Sequence, residues 1–229
     1  MLRRYVSYLS EWRKYRRLDG AEPLYFENSY PMLADRTATT RVDAHYFYQA
    51  VWAMERIARV KGNIHVDVGS DVCFIGMLTT HLPVLFIDIR PATIKIPNLT
   101  SLAGSLLNLP LASQSVVSLS CLHVVEHVGL GRYGDPLTPL GTRLACEELS
   151  RTLSPGGHLF FSTLVGRSRV CFNAHRIHTP QQILAYFDGL ELMEFSAVDD
   201  QSQMVINVQP EQMMTANYAC GLFWFRKPS

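Results

Sequence analysis

The chain has 229 residues, 48% of them hydrophobic, which is enough to build one buried core with an added terminal element and cramped for two full domains. Lys and Arg number 21 against 20 Asp and Glu, so no excess of positive charge argues for a nucleic-acid partner. The five cysteines, Cys73, Cys121, Cys146, Cys171 and Cys220, include no Cys-x-x-Cys pair; this argues against a disulfide framework or a thiolate zinc site and predicts buried free thiols in a reducing cytoplasm.

Residues 2–18 predict an amphipathic helix, with Leu2, Tyr5, Leu9, Trp12 and Tyr15 on one side and Arg3, Arg4, Arg13, Lys14, Arg16 and Arg17 elsewhere. Contact of this basic helix with a membrane surface is the lesser expectation; packing of its aromatic side on the domain is favoured. Residues 20–40 are irregular and form a wrapping loop, so that 1–42 make a terminal segment and 43–229 the main domain. Asp43 caps a second helix that carries Tyr46, Phe47, Ala50, Val51, Met54 and Ile57 and ends near Lys61-Gly62.

Beyond it the period changes. Residues 64–68, 84–87, 116–120 and 157–163 are short, apolar and often β-branched, while 73–81 and 138–152 have helical content. Strands alternating with helices imply a parallel sheet covered on both faces. Thr179-Pro180 opens a further helix, and residues 190–198 and 219–226 read as two longer strands with no clear helix between them, which can pair antiparallel. No apolar run reaches the roughly 18 residues of a membrane span, and the basic start lacks the apolar stretch of a signal peptide.

The most informative stretch is His65-Val66-Asp67-Val68-Gly69-Ser70-Asp71, a strand that ends in an acid and a glycine before helix-forming residues. Glycine at such a turn lets a ligand approach the backbone, and the first amides of the next helix are free to bond it. The following strand ends in Asp88, at the spacing of about 20 residues that places a carboxylate on a ribose diol in doubly wound folds.

In these residues the sequence resembles the class I S-adenosylmethionine-dependent methyltransferases. Their acidic first motif is similar to Asp67-Val68-Gly69-Ser70-Asp71, their second acid to Asp88, and their third region to Ser105-Leu106-Leu107-Asn108-Leu109-Pro110-Leu111. Their fourth strand and its exit resemble Ser120-Cys121-Leu122-His123-Val124-Val125-Glu126-His127-Val128, and Pro155-Gly156-Gly157 is similar to the turn into their fifth strand. The ordered series covers about residues 60–165. Within the superfamily, His65–Ser70, His45-Tyr46-Phe47-Tyr48-Gln49 and the segment Gly129–Pro136 resemble the domain of unknown function 268 family.

The resemblance implies a Rossmann-like, doubly wound α/β fold with a mostly parallel seven-stranded sheet, a C-terminal antiparallel hairpin and N-terminal helices. It implies S-adenosylmethionine as cofactor, held by Asp67, Gly69, Ser70, Asp71, Asp88, Ser105 and Leu106. Asp71 stands where the superfamily has a second glycine and is expected to pair with the ammonium of the methionine tail; Ser105 stands where an Asp usually meets the adenine and is expected to accept a hydrogen bond there.

Acceptor-side candidates are His123, Glu126 and His127, then Asn173, His175, Arg176 and His178, with Asp43, His45 and Tyr46 from the preceding helix. His123, Glu126 and His127 share one face if their segment is helical. His127, supported by Glu126, is the first choice of general base, and His175 is the reserve. His-x-x-Glu-His is similar to the metal motif of some ribose methyltransferases; a divalent metal completed by His175 or His178 is the less favoured alternative. The expected acceptor is a small polar molecule, a hydroxyl of a sugar or related metabolite, with the region through about Gln49 forming part of its pocket or lid. Two other readings are a catalytically inactive binding module and a nicotinamide-dependent oxidoreductase. The second is weakened because Gly69 and Gly76 stand too far apart for a pyrophosphate turn.

Overall fold

A computed structural model describes residues 2–60 and 62–229. They form two compact units, one ending at Val42 and one spanning Asp43–Ser229.

In the first unit helix α1 (Leu2–Tyr15) is followed by irregular chain with one 3-10 turn, Phe26–Asn28. Tyr8 shares a hydrogen bond with Ser29 Oγ (2.6 Å), Arg36 pairs with Glu11 (2.7 Å), and Tyr15 bonds Glu22. Helix α1 buries no residue, and Tyr5, Leu9 and Tyr15 are exposed.

The second unit begins with α2 (Ala44–Ile57), capped by the Asp43 carboxylate, which accepts from the amides of His45 (3.1 Å) and Tyr46 (3.3 Å). Lys61, where the predicted end of this helix falls, lies outside the described residues. The buried side of α2 is not the one its apolar residues suggest. Tyr46, Phe47 and Val51 are exposed, while Gln49, Trp52, Ala53, Arg56 and Ile57 are buried. Polar groups can occupy that face because they are paired: Arg56 Nη2 and Trp52 Nε1 donate to Glu194 (2.8 and 3.0 Å), and Ser162 Oγ donates to Gln49 Oε1 (2.7 Å).

The remaining elements are β1 (His65–Val68), α3 (Val72–Leu78), β2 (Val84–Asp88), β3 (Leu99–Ala103), β4 (Val116–Leu122), α4 (Gly141–Thr152), β5 (Leu153–Val165), the hairpin β6 (Arg169–Cys171) and β7 (His175–Ile177), α5 (Pro180–Tyr186), β8 (Glu191–Val198), β9 (Met204–Val205) and β10 (Ala219–Arg226). The main sheet runs β3-β2-β1-β4-β5-β10-β8-β9. Its β3 to β5 half is parallel, and β10 pairs antiparallel with both β5 and β8, as the two long C-terminal segments lead one to expect. The sheet has eight strands rather than seven because the two-residue β9 pairs with the end of β8.

Alternate residues of the central strands feed two cores. Ile87, Phe161 and Phe223 pack with residues of α4 and α5, while Phe86, Phe160 and Leu222 pack with residues of α2 and α3. The result is the three-layer doubly wound architecture, whose open crevice lies at the carboxyl ends of the strands. Gly76 is inside α3, so the turn after β1 is not a dinucleotide-type glycine loop. Of the cysteines, Cys121, Cys146 and Cys220 are buried, but Cys73, expected in the interior, is exposed at the start of α3. Among the described residues no helix is long and apolar enough to cross a membrane.

Candidate functional site

Beneath the site, β1 and β4 are joined by a buried polar ladder. Asp67 lies opposite Ser120, whose hydroxyl donates to its carboxylate together with Ser70 Oγ (2.6 Å) and the Ser70 amide (3.0 Å). His65, two residues earlier on the same face, bridges Ser118 and Ser120, each at 2.7 Å. Because the single Ser120 proton goes to Asp67, His65 donates through Nε2 and accepts through Nδ1. Burial pushes His65 down to about 3; it pushes Asp67 up to about 6 against the lowering pull of the serine hydrogen bonds. Asp67 is fully buried and does not line the cavity, so its direct contact with a cofactor is not what the geometry offers. It fixes Ser70 and hence the turn.

That turn opens the first cavity, which is lined by Gly69, Ser70, Asp71, Asp88, Ser105 and Leu106 among others. Gly69 has φ +74°, and a Cβ there would stand 2.9 Å from Val124 Cγ1 and 3.6 Å from Asp88 Oδ2. Only glycine keeps this cradle open without strain. Asp88 Oδ1 accepts from the Arg90 amide (2.6 Å), while among the described residues Oδ2 has no donor. Asp71, expected to pair with the methionine tail, caps α3 with its Oδ1, accepting from Cys73 (2.9 Å) and Phe74 (3.3 Å). Ser105 Oγ accepts from the Leu107 amide (3.2 Å). Six of the seven residues assigned to the cofactor from the sequence thus share one cavity. Arg90 and Tyr133, whose groups stack at 4.3 Å, also line it and were not anticipated.

A second cavity shares Tyr46, His123 and His127 with the first and adds His45, Glu126, Arg132, His175 and Tyr218. The predicted common face of His123, Glu126 and His127 does not form, because only Val125–His127 make a 3-10 turn. His123 precedes it in the left-handed region (φ +60°) and its Nδ1 meets Glu126, whose other oxygen accepts from Thr163 (3.1 Å). Burial opposes charge on His123, but Cys220 and Glu126 outweigh it and raise its affinity for protons. Glu126 is lowered because His123 and its hydrogen bond prevail over burial. His45 is pushed down to about 4, by burial first and then by His123.

His127 faces another way. Its Nδ1 lies 2.6 Å from the Ala174 carbonyl, to which Arg132 also donates (3.0 Å), so Nδ1 carries the proton and Nε2 keeps a lone pair. Burial, ahead of the opposing pull of Glu126, lowers its pKa and favours the neutral ring. His175 sits in the same cavity, edge-on to Tyr218 at 5.4 Å. Arg176 instead holds the carbonyls of Val128 and Thr138 (2.9 Å for the latter), Asn173 is exposed, and His178 is buried away from both cavities.

The metal set suggested by sequence, His123, Glu126 and His127 with His175 or His178, is not brought together. Among the described residues the donor atoms that converge are those of His45, His123 and Cys220, all within 4.8 Å of one another. Tyr218 immediately precedes β10 and Cys220 is its second residue; neither carries a local signal of a site.

Residues 113–220 match the family described as Caenorhabditis protein of unknown function, DUF268, in agreement with the resemblance drawn from the sequence. No protein of curated function matches. The fold is that of class I methyltransferases. The N-methyltransferase NodS from Bradyrhizobium japonicum WM9, in complex with S-adenosyl-L-homocysteine, is 14% identical with a TM-score of 0.56 over 96% of this chain and 98% of its own. The YcgJ protein from Bacillus subtilis is 10% identical with a TM-score of 0.58 over 80% and 99%. The [4+2]-cyclase SpnF is 12% identical with a TM-score of 0.57 over 79% and 81%.

Proposed function

We propose that this chain is an S-adenosylmethionine-dependent methyltransferase acting on a hydroxyl of a small polar acceptor, a sugar or related metabolite. The observation that carries the reading is the pairing of Asp88, with Oδ2 lacking a donor among the described residues, and the glycine cradle at Gly69 in one cavity. A carboxylate there accepts both protons of a ribose diol, and Gly69 lets a ligand lie against the backbone. Ser70, Asp71, Ser105 and Leu106 complete the cofactor wall, with Asp67 as a positioning residue beneath it. The cofactor supplies an already activated methyl group, so the chain has to orient the acceptor and take up its proton.

His127 suits that second task through its Nε2 lone pair, with Nδ1–H fixed on Ala174. Glu126 holds His123 in the wall of the acceptor cavity, and His175 is the reserve base. The buried, unpaired thiols suit a reducing cytoplasm. A non-methylating binding or catalytic module is the second reading; it draws on the engagement of Asp71 as a helix cap and on the sharing of this fold with a cyclase.

Calorimetry with S-adenosylhomocysteine tests the assignment. The wild type should bind, and Asp88→Ala should bind about 1.5–3 kcal/mol more weakly through loss of a charge-assisted contact. Equal affinity in the two proteins would remove Asp88 from the cofactor site. Binding without methyl consumption across an acceptor panel would favour the second reading.

A further inference from the structure

We propose that His45, His123 and Cys220 form a site for a borderline-soft divalent cation, zinc first, at the inner wall of the acceptor cavity. The three donors come from three separate elements: the first turn of α2, the left-handed exit of β4 and the second residue of β10. His45 Nδ1 and His123 Nε2 stand 3.3 Å apart. Two nitrogens bound tetrahedrally at the usual zinc–nitrogen length of about 2.0–2.1 Å are separated by about 3.3–3.4 Å, so the imidazoles already have ligand spacing.

A hydrogen bond joins the two rings, and the Cys220 thiol adds its sulfur at the same point, against His123. Cys220 is fully buried, and its thiol reaches the oxygens of Gln49 and Gly221 only at 4.0 Å. Since all three donor atoms lie within 4.8 Å, Sγ needs to move by only about an ångström to reach the roughly 3.6 Å nitrogen–sulfur spacing of a tetrahedral zinc site.

The outer partners agree with this assignment. His123 Nδ1 meets the Glu126 carboxylate, which is itself held by Thr163. A carboxylate on the far nitrogen of a histidine fixes the tautomer that presents Nε2 to a metal. Two nitrogens and one thiolate suit zinc better than magnesium or calcium, which prefer oxygen. Three protein ligands leave a fourth position, and His45 and His123 both line the second cavity, so that position opens toward the acceptor. On binding, the Cys220 S–H bond breaks and a sulfur–metal bond forms; the thiol proton leaves to solvent, together with the Nε2 proton of His123 where that ring is cationic.

The test is a titration of chelator-treated protein with Co2+ and then Zn2+, read by absorbance. The expected result is one equivalent of Co2+ bound with a thiolate-to-cobalt charge-transfer band, displaced by Zn2+. Cys220→Ser should abolish the band, and exposed Cys73→Ser should leave it intact. His45→Ala should weaken binding by more than about 100-fold, since even outer partners of metal ligands contribute roughly 10–100-fold. Absence of the band in the wild type, or its survival in Cys220→Ser, would overturn the site. Should Cys220→Ser fail to fold, unchanged Co2+ affinity in His45→Ala would do the same. The readout is independent of methyl transfer, so its failure leaves S-adenosylhomocysteine binding as a separate question.

Discussion

The two cavities at the carboxyl end of the sheet are built in different ways. The proposed cofactor cavity is made from consecutive strand ends and turns: Gly69 to Asp71 after β1, Asp88 ending β2, Ser105 and Leu106 after β3. Its neighbour is made from side chains far apart in the chain, His45 on α2, His123 and His127 after β4, His175 on β7 and Tyr218 before β10. The first depends on backbone geometry, and glycine, serine and aspartate stand at its turns. The second depends on tertiary packing, and its contents are titratable rings whose protonation each neighbour alters.

Substitutions can separate the two constructions, and the largest expected effect is on the packing that holds the ring cluster. Arg56 and Glu194 form a pair with side-chain exposures of 5% and 13% beneath α2, the helix that carries His45 and Tyr46. Arg56→Leu leaves the Glu194 carboxylate without its cation and should lower stability by about 3 kcal/mol in urea unfolding. The folded fraction should keep most of its S-adenosylhomocysteine affinity, because Gly69, Asp88 and Ser105 lie on other elements and α2 adds Tyr46 to that cavity. A loss below about 1 kcal/mol would show that the pair does not anchor the helix.

Next is His127→Ala, expected to reduce turnover on a true acceptor by roughly 100-fold, about 2.7 kcal/mol, with cofactor affinity unchanged. Near-normal turnover would discard His127 as the base, and parallel loss of cofactor affinity would mean that the two cavities are not separable at this residue.

The smallest effect concerns the ladder under the cofactor turn. His65, pushed down to about 3, stays neutral when the unfolded chain takes up a proton, so it contributes stability that is lost as pH falls below about 6.5. Asp67, pushed up to about 6, has the opposite sign: the folded state holds its proton more tightly, and stability falls as pH rises from about 4 through 6. The two offset each other in the wild type between pH 4 and 6. His65→Gln removes one of them, and its change in unfolding free energy from pH 7 to pH 5 should differ from that of the wild type by about 2 kcal/mol. Identical changes in both proteins would show that His65 does not titrate between the folded and unfolded states in this way.

The same contrast explains what the sequence reveals. The strand–Gly–helix turn at Gly69, the acid at Asp88 and the Thr179-Pro180 helix start follow from local chemistry and are legible as such; so are the two C-terminal strands. The strand β3 is not, because Leu99-Thr100-Ser101-Leu102-Ala103 lacks β-branched alternation and is only partly buried. The face of α2 is misread because Gln49 and Arg56 look like solvent residues until Ser162 and Glu194, more than a hundred positions away, supply their partners. Asp71 resembles a ligand group in sequence, yet the amides of Cys73 and Phe74 occupy it as a cap. Nothing near Cys220 announces a site, since its neighbours His45 and His123 arrive only through folding.

The left-handed backbone at His123 sets heat resistance and chemistry against each other at one position. A non-glycine residue held there forgoes on the order of 1–2 kcal/mol that a glycine would recover. The imidazole persists because Glu126, His45 and Tyr46 surround it. Selection of variants for thermal tolerance alone, with a compensating change at Glu126, would therefore erode the molecule here first, yielding a sturdier scaffold with a dismantled ring cluster and an intact cofactor turn. Stabilised variants of this chain should be sequenced at position 123 before their activities are compared.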